Sequence, residues 1–120
     1  GCQWWWSTAP RAGAIAVAHL RGAAQDVDRV LAALTEAPAP GVGAVVWRRF
    51  GAVDDGVVAR LDQSHALVMP HGGVRIRALL DERMRALGAA TGEADASAPF
   101  PEARDAFEAA MLATLARAAS

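Results

Sequence analysis

Three histidines, one cysteine and a pair of adjacent aspartates are the residues of this chain whose types could do chemistry. His19, His65, His71 and Cys2 are potential metal ligands, and Asp54-Asp55 is a carboxylate pair. No two of the ligands stand at H-x-x-x-H or C-x-x-C spacing, so no metal site is expected from them. Cys2 lies near the chain start and no serine sits in a G-x-S-x-G elbow, so no nucleophile triad is expected and no catalytic residue is assigned. Asp54-Asp55 runs into Gly56 and reads as a turn. The stretch PHGGVRI is more informative. Gly72 and Gly73 between a strand and a helix leave main-chain N–H groups at a helix N-terminus, a place for an anionic or carbonyl oxygen. A tight strand-to-helix turn would need the same glycines.

Composition removes whole classes of activity. All 12 basic side chains are arginine. Without a lysine the chain holds no P-loop and is no GTPase by itself, and lysine Schiff-base chemistry is excluded too. A net charge of −1 does not suggest a dedicated nucleic-acid surface. The single cysteine cannot form an internal disulfide and fits a reducing, cytoplasmic compartment. No apolar run approaches the roughly 18 residues of a membrane-spanning helix. The opening is aromatic, without the basic start of a secretory signal, so no membrane association is expected.

The elements that must position these residues follow from periodicity. WWWST (4–8) reads as a strand with Trp4 and Trp6 on one face and Trp5 on the other. AIAVAHL (14–20) is a second strand, apolar on both faces and so interior. Val27, Val30, Leu31 and Leu34 mark one stripe of a helix that Ala37-Pro38 stops. Residues 43–50, 56–61 and 65–70 are three strands with short turns, an antiparallel meander. A second helix follows HGG, with Ile76, Leu79, Leu80, Arg83 and Leu87 inward, a solvated charged face, and Gly88 as its C-cap. The stretch 91–100 is small and polar, a linker, and 101–120 carries a last helix with an Ala103, Phe107, Ala110, Met111 and Leu115 stripe. The expected fold is therefore α+β: a mostly antiparallel five-stranded sheet with helices packed on it over 1–90, plus a C-terminal helix.

STAPRAGAIAVAHLRG (7–22) and the later HGG (71–73) together resemble the N-terminal domain of the tRNA-modification GTPase family TrmE/MnmE, whose first strand runs into a pattern like ATPPGRGAIAVIRLSG. The resemblance covers roughly residues 4–90. It implies a fold similar to the folate-binding domain of aminomethyltransferases. It further implies a domain that dimerises and binds 5-formyl-tetrahydrofolate, within a protein that modifies the wobble uridine of tRNA alongside a flavoprotein. Carried over by position, the ligand-binding residues are His19, Arg21, Gln63, His71, Gly72 and Gly73. The family arginine falls on His19, the acidic residue of its loop falls near Gln63, and the GTPase domain is absent, so weak or no folate binding is expected. The expected role is a dimerisation and ligand-binding module, non-catalytic alone, a fragment of a longer GTPase. A folate-dependent one-carbon transferase module and a degenerate protein-interaction domain are the alternatives. Trp4, Trp5 and Trp6 are expected at a homodimer interface, because one sheet face has little chain left to cover it.

Overall fold

The tryptophan run does form a strand, and alternation does send its members to opposite faces. A computed structural model describes residues 1–7 and 15–92. In it the elements are β1 (Cys2–Trp6), β2 (Ala18–Gly22), α1 (Ala24–Thr35), β3 (Val45–Phe50), β4 (Asp54–Asp62), β5 (His65–Pro70), α2 (Val74–Ala86) and β6 (Ala89–Thr91). The expected linker beyond Gly92 and the last helix lie outside the described residues, as do Thr8 and Ala14 of the first two expected strands.

The architecture is α+β, with one sheet of six strands in the order β3-β4-β5-β2-β1-β6. The meander β3-β4-β5 is antiparallel, and β5 continues antiparallel onto β2 and β2 onto β1. The expectation of five strands is corrected by β6, which joins β1 in parallel with Cys2 opposite Ala89 and Trp4 opposite Thr91. Gly88, with φ of +90°, turns the chain out of α2 into this strand. The Gly92 amide then donates to the Trp4 carbonyl at 2.8 Å, so the sheet passes the boundary expected at residue 90. A second correction concerns Asp54 and Asp55. They begin β4, paired with Phe50 and Arg49, rather than forming the turn.

Both helices pack on the face that carries Trp4, Ala18, Leu20, Phe50, Val58, Ala66 and Val68. From α1 come Val27, Val30, Leu31 and Leu34, all buried as the stripe predicts. Its N-cap, Ala23, makes no side-chain hydrogen bond, so packing rather than capping holds this helix. Each fully buried Val or Leu contributes about 1.5–3 kcal/mol toward that. From α2 the buried residues are Leu80 and Met84, while Leu79 and Arg83 are exposed. Of the expected inward residues Ile76, Leu80 and Leu87 do face the core, and Met84 takes the place expected for Leu79 and Arg83.

The opposite sheet face carries Val57, Ala59, Leu67 and Met69, with Val17, Val45 and Leu61 beside them. Trp5 stands on this face and is also buried. Among the described residues no helix is long and apolar enough to cross a membrane.

Candidate functional site

Strand β5 is the ruler against which the candidate residues are placed, because it has a histidine at each end. His65 opens it and His71 follows its last residue, Pro70. At about 3.3 Å per residue the two ends lie about 20 Å apart.

At the first end, register brings together residues distant in sequence. Arg21 of β2 is opposite His65, His19 is opposite Leu67, and Trp5 of β1 is opposite His19. Trp5 and His19 stack almost parallel, with centroids 4.9 Å apart and planes 7° apart. His19 Nδ1 and His65 Nε2 are 2.9 Å apart, a hydrogen bond in which one ring donates and the other accepts. Burial pushes the His65 pKa below its usual 6.5, with Asp62 opposing the shift and Arg21 adding to it. Asp62 itself is held below the ordinary aspartate range, chiefly by the Ser64 hydroxyl that donates to it.

Gln63 belongs to the turn between β4 and β5, and its carbonyl accepts from the Arg60 guanidinium. Arg60 is buried and also donates to the Asp62 and Pro40 carbonyls and to Asp28 Oδ1, the last at 2.6 Å. Beside it lies an open groove of about 840 Å³ lined by Gln25, Asp28, Ala32, Pro40, Val42 and Gln63, among others. Arg60 therefore ties α1, the loop before β3 and the β4–β5 turn together.

At the other end of β5 stand His71, Gly72 and Gly73. Gly73 is the N-cap of α2 with φ of +127°, a conformation that suits glycine. Here the neighbours are Ile15, bridged to His71, and the start of β4. The His71 amide donates to Asp54 Oδ2 at 2.8 Å, and His71 Nδ1 is 2.9 Å from Asp54 Oδ1 and 3.8 Å from Asp55 Oδ1. The Asp54 side chain raises the His71 pKa above 6.5, first by its hydrogen bond and then by its charge.

The six expected ligand residues thus do not form one cluster. His19 and Arg21 lie at the His65 end, Gln63 lies on the adjoining turn, and His71, Gly72 and Gly73 lie at the other end. Comparison with known proteins assigns no family: no protein-family model and no curated protein matches the chain.

The tryptophans make a third cluster. Trp4 and Trp6 meet edge to face with centroids 5.4 Å apart. Both indoles donate to Asp81 Oδ1, at 2.8 and 2.7 Å. The Arg77 guanidinium lies 4.6 Å from the Trp6 ring centre, a cation–π contact. Trp4 and Trp5 are buried and Trp6 is half-buried, so Trp6 is the most exposed of the three.

Sequence reasoning missed three partners: Asp81 for the indoles, His65 for His19, and Asp54 for His71. The spacing of Arg77 and Asp81, four apart on one helix, was a signal that they share a face. The two histidine pairings depend on strand register and had no local signal.

Proposed function

We propose that this chain is a ligand-binding and dimerisation module of the TrmE-like kind, non-catalytic alone, that serves a cytoplasmic tRNA-modifying GTPase and its flavoprotein partner. One observation carries the reading. The two segments on which the resemblance rests are neighbours in the fold. Ile15 bridges His71, the Ala16 amide donates to the Pro70 carbonyl at 3.2 Å, and β2 pairs along β5.

Ligand binding in this reading is reduced. The carried-over residues are divided between the two ends of β5, and His19 is already engaged by Trp5 and His65. A folate carboxylate or pterin would find its polar groups incompletely paired, at about 1–3 kcal/mol for each buried group left unmatched.

Two measurements test the proposal. Sedimentation equilibrium should show a dimer with a Kd of about 1 μM or tighter, near −8 kcal/mol. Calorimetric titration with 5-formyl-tetrahydrofolate should give weak heat or none. A chain that stays monomeric at high concentration overturns the dimerisation module. Tight folate binding moves the reading to the one-carbon transferase alternative.

A further inference from the structure

Strands β4 and β5 place two carboxylates and an imidazole side by side where β4 begins and β5 ends. We propose that Asp54, Asp55 and His71 form a binding site for a divalent first-row transition-metal ion such as Zn²⁺. The donor atoms of the three side chains all lie within 4.8 Å of one another. Bonds of about 2.0–2.2 Å from one ion to oxygen and nitrogen leave its donors about 3–4 Å apart. The observed 2.9 Å from His71 Nδ1 to Asp54 Oδ1 and 3.8 Å to Asp55 Oδ1 are already in that range.

The donor set selects the class of ion. Two carboxylates bring two negative charges, which suit a divalent cation, and the imidazole nitrogen favours zinc, nickel or iron over magnesium or calcium. Both carboxylates pair with the same imidazole nitrogen, Asp54 at 2.9 Å and Asp55 at 3.8 Å, so two anionic oxygens converge on one donor atom.

The framework is already ordered. Gly56 is paired with Pro70, so the ladder fixes where Asp55 and His71 emerge. The Asp54 side chain is only 12% exposed, and its Oδ2 accepts the His71 main-chain amide. That contact orients the carboxylate as an outer-shell partner would orient a ligand. His71 is 61% exposed, so an ion enters from solvent without opening the fold, and water completes its coordination. The ion replaces the proton between Nδ1 and Oδ1, which passes to solvent.

This site stands independently of the folate and dimer readings. The experiment is calorimetric titration of ZnCl₂ into chelator-stripped protein, comparing the wild type with Asp55→Asn and His71→Gln. The Asp55 side chain is 43% exposed, pairs with the exposed His71 ring, and keeps its size in the variant, so Asp55→Asn should melt close to the wild type without metal. The expected result is one Zn²⁺ per chain, weakened at least about tenfold in both variants, with Mg²⁺ binding more weakly than Zn²⁺. No binding overturns the proposal. So does Zn²⁺ affinity that survives both substitutions, which would place the ion on the His19–His65 pair or on Cys2.

Discussion

The Trp4 indole donates to Asp81 Oδ1 at 2.8 Å, a bond that joins the first strand to the second helix. The Trp4 side chain is fully buried, so its N–H has no access to water as an alternative acceptor. The same oxygen accepts from Trp6 at 2.7 Å. A single carboxylate therefore satisfies two indoles while the hydrocarbon edges of both rings pack against the core. This is how a strand can carry consecutive tryptophans: one face needs a polar anchor within the fold, and α2 supplies it.

Replacing Asp81 by alanine should remove that anchor and leave the Trp4 N–H buried without a partner. The expected loss is about 2–3 kcal/mol, the penalty for an unsatisfied buried donor plus the loss of a charged acceptor. Asp81→Asn keeps an acceptor oxygen at the same place and should lose only about 1 kcal/mol. Urea denaturation followed by tryptophan fluorescence measures both. Equal losses in the two variants would show that the oxygen is not the anchor.

Arg60 and Asp28 are an ion pair of unequal members. Arg60 is 4% exposed and Asp28 is 58% exposed. Arg60→Ala deprives the Pro40, Asp62 and Gln63 carbonyls of a donor as well as breaking the pair, and should destabilise by about 2–4 kcal/mol. Asp28→Ala leaves those carbonyl contacts intact and removes only an exposed partner, so its loss should stay below about 1 kcal/mol. Thermal or chemical denaturation of the two variants checks the asymmetry.

Much of this fold was legible because much of it is local. The Val27, Val30, Leu31 and Leu34 stripe and the alternation of Trp4, Trp5 and Trp6 are patterns contained within single elements, and both recur in the structure, whereas the second strand begins only at Ala18 and carries His19 and Arg21 on one face. What escaped depends on partners far along the chain. Ala89–Thr91 is small, short and polar at its end, and becomes a strand only because β1 presents an open edge to it. Asp54-Asp55-Gly56 has the composition of a turn, and β3 overrides that propensity by pairing with it through Phe50 and Arg49. The candidate sites were legible only as a list of residue types. The pairing of His19 with His65 needs the register of β2 on β5, and that of His71 with Asp54 needs β4 and β5 to end together.

Gly73 should resist substitution for a conformational reason alone. A Cβ at this position would meet nothing within 4 Å, yet the residue holds φ of +127°. Gly73→Ala therefore tests backbone strain without overpacking, and should destabilise by about 1–3 kcal/mol. If the variant is as stable as the wild type, the turn into α2 has relaxed to another conformation. Amide chemical shifts of residues 71–75 would then differ from the wild type.

The His65 ring makes a prediction about pH. Its pKa is lowered from 6.5, first by burial, so the native state prefers the neutral ring while the unfolded chain takes up a proton near 6.5. Between those two values the unfolded state binds more protons, and stability falls as pH falls. The contribution is complete above 6.5 and declines through the acidic side of that value. His71 has the opposite sign, since its raised pKa gives stability that is complete below 6.5 and is lost as pH rises through the higher value. Because His71 is 61% exposed, its contribution is the weaker. Asp62, lowered from 3.8, acts only in a more acidic range, where its stabilisation is lost as pH falls below 3.8. The interval just below pH 6.5, above the acidic range of Asp62, is thus where His65 dominates these three shifts. Urea midpoints measured across it should decrease toward its acidic end for the wild type, and the slope should flatten in His65→Gln, which cannot titrate. An unchanged slope in that variant would assign the proton uptake to another group.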